Sequence, residues 1–200
     1  MVHFLVETLK IAVFVSGRGS NLRALVSSEF HGRDYEVVLV VSDKKECPAF
    51  EFAQKHKIPV HHFSHSKEVY AQAVPTLVNL LESCGVELIV LAGYLKLIPV
   101  EIITRFRKKI INIHPALLPD YGGKGMYGMN VHQAVFEAKE KFSGPTVHYV
   151  DEEYDRGEII EQVSIDVTEA KSSEEIARIV LEQEHKILPR VVSSIAREKK

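Results

Sequence analysis

The feature that most constrains the fold is a series of short apolar runs that alternate with segments of helical character. Runs such as residues 35–41 and 86–92 contain few polar residues, which is typical of strands buried on both faces of a parallel sheet. Predicted strands cover residues 10–16, 35–41, 58–63, 86–92 and 109–113, and predicted helices cover residues 21–28, 48–56, 67–84, 98–106 and 131–140. This alternation predicts an α/β protein with a doubly wound, mostly parallel twisted sheet.

The last part of the chain breaks this regular alternation. Residues 146–150 and 158–167 are predicted strands, and we expect a late antiparallel strand here. Ser172, followed three residues later by Glu175, forms a capping box that begins a long C-terminal helix running towards Lys200. The 200 residues fit one domain. We expect that domain, residues 1–200, to have an N-terminal half at about 1–98 and a C-terminal half at about 99–200.

Composition narrows the partners that this chain can have. Lys and Arg number 25 against 27 Asp and Glu, so the formal net charge is -2 and neither nucleic acid nor a membrane is an expected partner. No apolar run reaches the roughly 18 residues that span a bilayer, and residues 2–6 are too short for a signal sequence. Cys47 and Cys84 lie far apart, without metal-ligand spacing. We therefore expect a cytoplasmic protein with two free thiols and no bound metal.

A glycine-containing loop follows the first predicted strand. Gly17 and Gly19 allow the backbone to turn tightly and to approach a ligand closely. The free N–H groups at the start of the next helix, together with the helix dipole, favour an anion there. Ser20 and Asn21 add side-chain donors, so the loop is a candidate phosphate site.

Two other interpretations of this loop remain open. It could be only a tight turn in which Ser20 or Asn21 caps the following helix. It could also be part of a dinucleotide site, because Asp43 ends the second predicted strand, where a ribose-binding acid would lie. The third glycine of that motif is missing, since Leu22 occupies its place, and this favours a phosphate monoester over a dinucleotide.

Two polar side chains mark the end of another predicted strand. Strand alternation places Asn112 and His114 on one face and the neighbouring isoleucines on the other. An amide can donate to a developing oxyanion, and an imidazole can exchange a proton near neutral pH. A third, acidic member is expected shortly after a later strand, but spacing alone does not choose among Asp151, Glu152, Glu153 and Asp155.

The chain resembles the phosphoribosylglycinamide formyltransferases, a family of folate-dependent enzymes, from Ile11 to about Ile195. The segments that carry the resemblance are residues 16–22 (SGRGSNL), 91–95 (LAGYL), 112–119 (NIHPALLP), 146–150 (TVHYV) and the turn at Asp155. The central segment is shared by several enzymes that use 10-formyltetrahydrofolate, and the glycine loop narrows the match. The resemblance implies a Rossmann-like formyltransferase fold with a phosphate-binding N-terminal half and a folate-binding, catalytic C-terminal half.

The resemblance also implies binding roles. Gly19, Ser20 and Asn21 would hold the phosphate of glycinamide ribonucleotide, and Glu184 would hold its ribose hydroxyls, although the helix pattern alone suggests an exposed residue at Glu184. The folate would contact Asn112 and, largely through backbone groups, Leu95, Lys96, Leu97 and Ile98. Lys67 stands near the folate where the family usually has an arginine, which keeps the charge but loses the planar fork.

The implied reaction is formyl transfer from the co-substrate 10-formyltetrahydrofolate to the amine of glycinamide ribonucleotide, a step of purine biosynthesis. Asn112, His114 and Asp155 would form the catalytic set. Asn112 would donate to the oxyanion, while a protonated His114 would donate as well and pass a proton to the leaving nitrogen. Asp155 is expected to raise the pKa of His114. Small molecules would be the only partners, and no metal would be needed.

Some features depart from the family pattern, and some alternatives stay open. Residues 120–130 form a longer loop than usual, and residues 1–8 precede the usual start. A formyl-folate hydrolase or an initiator-tRNA formyltransferase would need a further domain, for which 200 residues leave no room. A non-catalytic nucleotide-binding module is the third alternative.

We expect His61, His62 and His65 to be surface residues, and His132 and His148 to be structural, with His148 on a strand that allows it to contact the site.

Overall fold

The computed structural model describes residues 8–199, in which strands and helices alternate along most of the chain. The elements are β1 Leu9–Val15, α1 Ser20–Ser27, β2 Tyr35–Ser42, α2 Pro48–Lys55, β3 Val60–His62, α3 Tyr70–Ser83, β4 Leu88–Leu91, α4 Val100–Arg105, β5 Ile110–His114, α5 Met129–Glu137, β6 Phe142–Ser143, β7 Thr146–Tyr149, β8 Ile159–Gln162, β9 Ile165–Asp166 and α6 Ser173–Glu198. Most of the segment at residues 1–8, which precedes the usual family start, lies outside the described residues.

Seven strands form one mixed sheet in the order β3-β2-β1-β4-β5-β7-β8. The first five are parallel to one another, whereas β7 runs antiparallel to both β5 and β8. The predicted α/β fold, with its mostly parallel sheet, late antiparallel strand and long C-terminal helix, is therefore confirmed. The chain order reverses between β1 and β4, and ligands of such sheets bind at this point, beyond the carboxyl ends of the strands.

The core consists of two layers because successive strand residues point to opposite faces of the sheet. On one face, Ile11, Val13 and Val15 of β1 pack with residues of α1, α2 and α6. On the other face, Ala12 and Phe14 pack with residues of α3 and α4. These five residues of β1 are fully buried, which explains why the strand has no polar alternation in the sequence.

Two predicted elements had the wrong bounds, and one short strand was not predicted. The predicted strand at residues 158–167 is two strands, because β8 pairs with β7 whereas β9 pairs with β6, a short strand that the sequence did not predict. The helix predicted from residue 67 begins at Tyr70. Ser66 and the residues after it form a turn instead, in which the Ser66 hydroxyl donates to Glu68 over 2.6 Å and the Ser66 carbonyl accepts from Val69 N.

The long helix α6 begins with the predicted cap in a modified form. The Ser172 hydroxyl accepts from the Glu175 backbone N–H over 3.3 Å, but the Glu175 carboxylate accepts from Lys171 N rather than from Ser172 N. No helix within residues 8–199 combines the length and the apolar character that crossing a membrane requires.

A buried carboxylate holds the far end of α6 against the sheet. Asp34, which precedes β2, accepts from the Ser193 hydroxyl over 2.7 Å and from Arg197 Nη2 over 2.9 Å. Burial alone would raise the pKa of Asp34, but the hydrogen bonds from Arg197 and Ser193 outweigh it and hold that pKa at about 2. Since α6 also carries Glu184, this anchor fixes the helix on which a predicted site residue lies.

The first prediction concerns this anchor. Replacing Asp34 with alanine leaves the Ser193 hydroxyl and the Arg197 guanidinium without their acceptor, and we expect the free energy of unfolding to fall by about 2 kcal/mol. The matched control is Glu29→Ala, which removes only an exposed ion pair with Arg33 and should cost under about 0.5 kcal/mol. Urea unfolding of both variants measures this difference, and equal losses would contradict the anchor.

Candidate active site

A cleft of about 670 Å³ lies beyond the carboxyl ends of β1, β4 and β5, where the chain order of the sheet reverses. The predicted site residues that line this cleft are Gly19, Ser20, Asn21, Leu95, Lys96, Leu97, Ile98, Asn112, His114, Asp155 and Glu184. Lys67 is not among the lining residues; it is exposed, in the turn before α3, so that its contact with a folate stays a prediction. The cleft thus unites residues that are far apart in the sequence.

The loop at residues 17–21 offers the start of α1 to the cleft. Gly19 precedes the helix in a left-handed conformation, with φ 70°. A Cβ at this position would lie 2.7 Å from the Cβ of Ala49, so that only glycine fits between the loop and α2. Within residues 8–199, no side chain caps α1, and the interpretation of Ser20 or Asn21 as a helix cap was therefore wrong. The first amides of α1 remain available to an anion.

Asn21 and Glu184 form a buried pair on the floor of this subsite. The Asn21 amide Nδ2 donates to Glu184 Oε2 over 2.7 Å, and both residues are more than nine-tenths buried. Burial raises the pKa of Glu184 to about 7, although the hydrogen bond from Asn21 opposes this shift. The other amide atom, Asn21 Oδ1, is buried and has no hydrogen-bond partner within the described part of the chain.

The helix pattern suggested an exposed residue at Glu184, and the structure corrects this. Glu184 lies four residues after Val180 and four before Leu188, which are both fully buried on the same stripe of α6. This spacing of four residues is the sequence signal that could have predicted a buried Glu184. A carboxylate on the buried stripe of a helix is costly unless it is paired or used, and Glu184 both pairs with Asn21 and faces the cleft.

The catalytic candidates meet around one carboxylate. Asp155 Oδ2 accepts from the Gly123 backbone N–H over 2.9 Å and lies 3.6 Å from His114 Nδ1. Asp155 Oδ1 accepts from Asn112 Nδ2 over 3.4 Å and lies 3.5 Å from His148 Nε2. Of the four acids that spacing could not separate, Asp155 is the one that contacts Asn112 and His114. Asp151, Glu152 and Glu153 are exposed.

Strand pairing explains why His148 joins this cluster. Asn112 of β5 and His148 of β7 are direct partners across the antiparallel pair. His148 Nδ1 bonds the carbonyl of Tyr149 over 2.8 Å and must carry a hydrogen, because a carbonyl only accepts. In the neutral ring, Nε2 is then an acceptor for Asn112 Nδ2, 3.1 Å away. The expectation that His148 contacts the site is confirmed.

A backbone carbonyl fixes the tautomer of His114. His114 Nε2 lies 2.8 Å from the carbonyl oxygen of Tyr121, and this contact assigns the ring hydrogen to Nε2. In the neutral ring the lone pair is therefore on Nδ1, which faces Asp155. Nδ1 is the atom at which this imidazole can gain a proton, and the resulting imidazolium would lie beside a carboxylate.

The net shift of the His114 pKa is opposite to the one expected. Burial lowers the pKa of His114 below its ordinary value, and this outweighs Asp155, which raises it. Burial would raise the pKa of Asp155, but the adjacent imidazoles of His148 and His114 and the hydrogen bond from the Gly123 backbone N–H outweigh it and lower that pKa overall. The pair at neutral pH is thus a mostly neutral imidazole beside a charged carboxylate.

The glycine-rich loop contributes more to the site than the sequence indicated. Residues 123–128 form part of the cleft wall, while Tyr121 and Gly123 contact two of the three catalytic candidates, His114 and Asp155, through backbone atoms. His132, expected to be structural, also lines the cleft, and burial and the nearby His114 lower its pKa to about 4. Among residues 8–199, no group of three or more His, Cys, Asp or Glu is arranged to hold a metal ion.

Comparison with known sequences identifies relatives of this chain. Residues 9–192 match the sequence model of the formyl transferase family. A chloroplastic phosphoribosylglycinamide formyltransferase of Arabidopsis thaliana is 47% identical over 193 residues, which cover 95% of this chain and 66% of that protein. A phosphoribosylglycinamide formyltransferase of Bacillus subtilis is 38% identical over 191 residues, covering 93% of this chain and 94% of that protein. The chain thus spans somewhat less than two thirds of the plant relative.

Solved structures agree with these sequence matches. The crystal structure of a glycinamide ribonucleotide transformylase from Symbiobacterium toebii superposes with a TM-score of 0.86 at 30% sequence identity. The superposition covers 99% of this chain and 92% of the other. The fold likeness therefore includes every strand that contributes to the cleft.

The second prediction follows from the buried Glu184. Its pKa is raised in the folded chain, from 4.5 to about 7, so its contribution to stability is complete below pH 4.5 and is lost as the pH rises through 7. Glu184→Gln cannot ionise, and we expect it to exceed the unchanged protein in free energy of unfolding by roughly 2 to 3 kcal/mol at pH 8. At pH 4.5 or below the two proteins should be similar.

Urea unfolding at pH 4.5 and pH 8, without ligands, measures this difference. Glu182→Gln is the control on the same helix, because Glu182 is exposed and paired with Arg178. A Glu184→Gln variant that shows no gain at pH 8 would contradict the raised pKa.

Proposed function

This chain belongs to the formyl transferase family, and we propose that it transfers the formyl group of 10-formyltetrahydrofolate to the amine of glycinamide ribonucleotide. The observation that carries the proposal is the convergence of Asn112, His114 and Asp155 in the cleft that also contains the loop at residues 17–21. An amide, an imidazole and a carboxylate suit the addition of an amine to a formyl carbon. The phosphate loop suits the sugar phosphate that carries that amine.

Glycinamide ribonucleotide would occupy the end of the cleft nearest α1. Its phosphate would accept from the amides of Gly19, Ser20 and Asn21, helped by the positive end of the helix dipole. Its ribose hydroxyls would donate to the Glu184 carboxylate, which Asn21 already orients. Hydroxyl donors favour the charged form of a carboxylate, so this substrate would lower the raised pKa of Glu184 on binding.

The folate would occupy the side of the cleft lined by the segment that follows β4. Leu95, Lys96, Leu97 and Ile98 line both the main cleft and a second, adjoining one, which gives an elongated co-substrate a continuous surface. Leu95 and Leu97 are about half exposed, as apolar residues at a ligand site often are. Lys67 would meet the acidic end of the folate if that end extends beyond the cleft.

The reaction requires one bond to form and one to break. The neutral amine attacks the formyl carbon, and the carbonyl oxygen of the tetrahedral intermediate becomes negative. Asn112 Nδ2 donates to that oxygen: its 3.4 Å contact with Asp155 is the weaker of its two contacts, so that N–H can turn towards the formyl group. Collapse of the intermediate then breaks the bond from the formyl carbon to N10 of the folate.

The proton that the amine loses is the proton that N10 gains. A mostly neutral His114 takes it at Nδ1, since Nε2 is already held by the Tyr121 carbonyl. The imidazolium lies beside Asp155, which stabilises it, and then donates the proton to N10. These steps start from neutral His114 rather than from the protonated form that the family resemblance implied. They balance without a metal ion or a covalent enzyme intermediate.

The remaining expectations about partners and location form part of the same proposal. The two small molecules would be the only partners, without nucleic acid or a membrane, as the formal net charge of -2 suggests. Cys47 and Cys84 are both free thiols, which supports a reducing compartment, the cytoplasm in this proposal.

The third prediction tests the reaction itself. The protein is incubated with 10-formyltetrahydrofolate, with and without glycinamide ribonucleotide, and tetrahydrofolate release is followed. We expect release only when the amine is present, and release with water alone would instead indicate a hydrolase.

His114→Ala should lower the turnover number by at least about 100-fold while the fold remains intact, because it removes the proton carrier. Near-normal turnover would exclude His114 from the mechanism.

The fourth prediction separates binding from chemistry. Asn21→Ala keeps the backbone amide but removes the side-chain hydrogen bond that orients Glu184 for the ribose, so we expect the KM for glycinamide ribonucleotide to rise at least about tenfold. The KM for the folate should change much less. Asn79→Ala, at an exposed position of α3, is the control. An unchanged KM in Asn21→Ala would count against the binding of the sugar phosphate beside the Asn21–Glu184 pair.

A further inference from the structure

The two proposed substrate subsites begin at neighbouring strands. β1 and β4 are paired in parallel as far as Phe14 and Leu91. Beyond this point the chains separate: β1 continues into the loop at residues 17–21, and β4 continues into residues 93–98. The last backbone bond between them runs from Ser16 N to the carbonyl of Gly93, over 3.1 Å.

The side chain of Ser16 extends this pairing by one further bond. The Leu95 backbone N–H donates to Ser16 Oγ over 2.9 Å, and Ser16 is only 2% exposed. The Ser16 hydroxyl oxygen therefore accepts the Leu95 N–H at a point where β1 and β4 have separated and no longer pair through their backbones. A buried N–H without an acceptor is costly, so this bond fixes where Leu95 lies.

The position of Ser16 is suited to transmit binding from one substrate to the other. On one side it precedes Gly17, at the start of the proposed phosphate loop. On the other side it holds Leu95, the first residue of the segment proposed to contact the folate. We propose that Ser16 is a positioning residue that couples the two subsites, so that each substrate strengthens the binding of the other. This inference rests on the proposed function.

The physical basis is that both loops share one hydrogen-bonded residue. A sugar phosphate that binds residues 17–21 fixes the end of β1, and with it the direction of Ser16 Oγ. The Leu95 amide is then already in place for the folate, whose binding orders less of the protein. Thermodynamic linkage requires that the folate strengthens sugar-phosphate binding by the same factor.

A pair of ligands that cannot react measures this coupling. Tetrahydrofolate carries no formyl group, so its dissociation constant can be determined by calorimetry with and without saturating glycinamide ribonucleotide. For the unchanged protein we expect the second ligand to tighten tetrahydrofolate binding about fivefold or more. Ser16→Ala should bring this factor close to one while both ligands still bind. Ser16→Cys should do the same, because it fills the space of the hydroxyl with a much weaker acceptor.

The matched control is Ser42→Ala, which also removes a buried hydroxyl that accepts a backbone N–H, here from Lys44 over 3.1 Å, at the end of β2 and outside the cleft lining. It should keep the full coupling factor even if it lowers stability. Full coupling in Ser16→Ala and Ser16→Cys, or no coupling in the unchanged protein, would overturn the inference and leave formyl transfer intact. Failure of the unchanged protein to bind either ligand would overturn the proposed function and this inference together.

Discussion

The candidate site depends on one carboxylate that is mostly removed from water. Asp155 is in contact with an amide from β5, imidazoles from β5 and β7, and a backbone N–H from the glycine-rich loop. Those groups come from three separate stretches of the chain, and each of them contacts the Asp155 carboxylate. Its backbone is left-handed, with φ 54°, an uncommon conformation for a residue other than glycine. The contacts around the side chain explain how this conformation persists.

Local pattern was enough to predict the framework of the fold and the polar ends of its strands. Apolar runs such as 86–92 have one plausible structure, because a strand without polar residues must be buried on both faces. The period of two along β5 placed Asn112 and His114 on one side, and both line the cleft. These predictions succeeded because they depend on neighbours within a few residues.

The rest required knowledge of distant contacts. Spacing could not select Asp155, because the choice is made by His114, His148 and Gly123, which lie 41, 7 and 32 residues away. The net pKa shift of His114 was predicted in the wrong direction because the sequence indicates its charged neighbour but not how deeply it is buried. Ser16 was visible only as the end of a strand, since its partner Leu95 is 79 residues away.

The tight packing of Gly19 against Ala49 links two positions that are thirty residues apart. Ala49 belongs to α2 and is fully buried, and it does not line the cleft. A larger side chain at either position would push α2 and the loop at residues 17–21 apart. This would widen the space in which the phosphate is proposed to bind. The two residues can therefore vary during evolution only within a shared limit of volume, and a helix that does not line the cleft sets how narrow this loop can be.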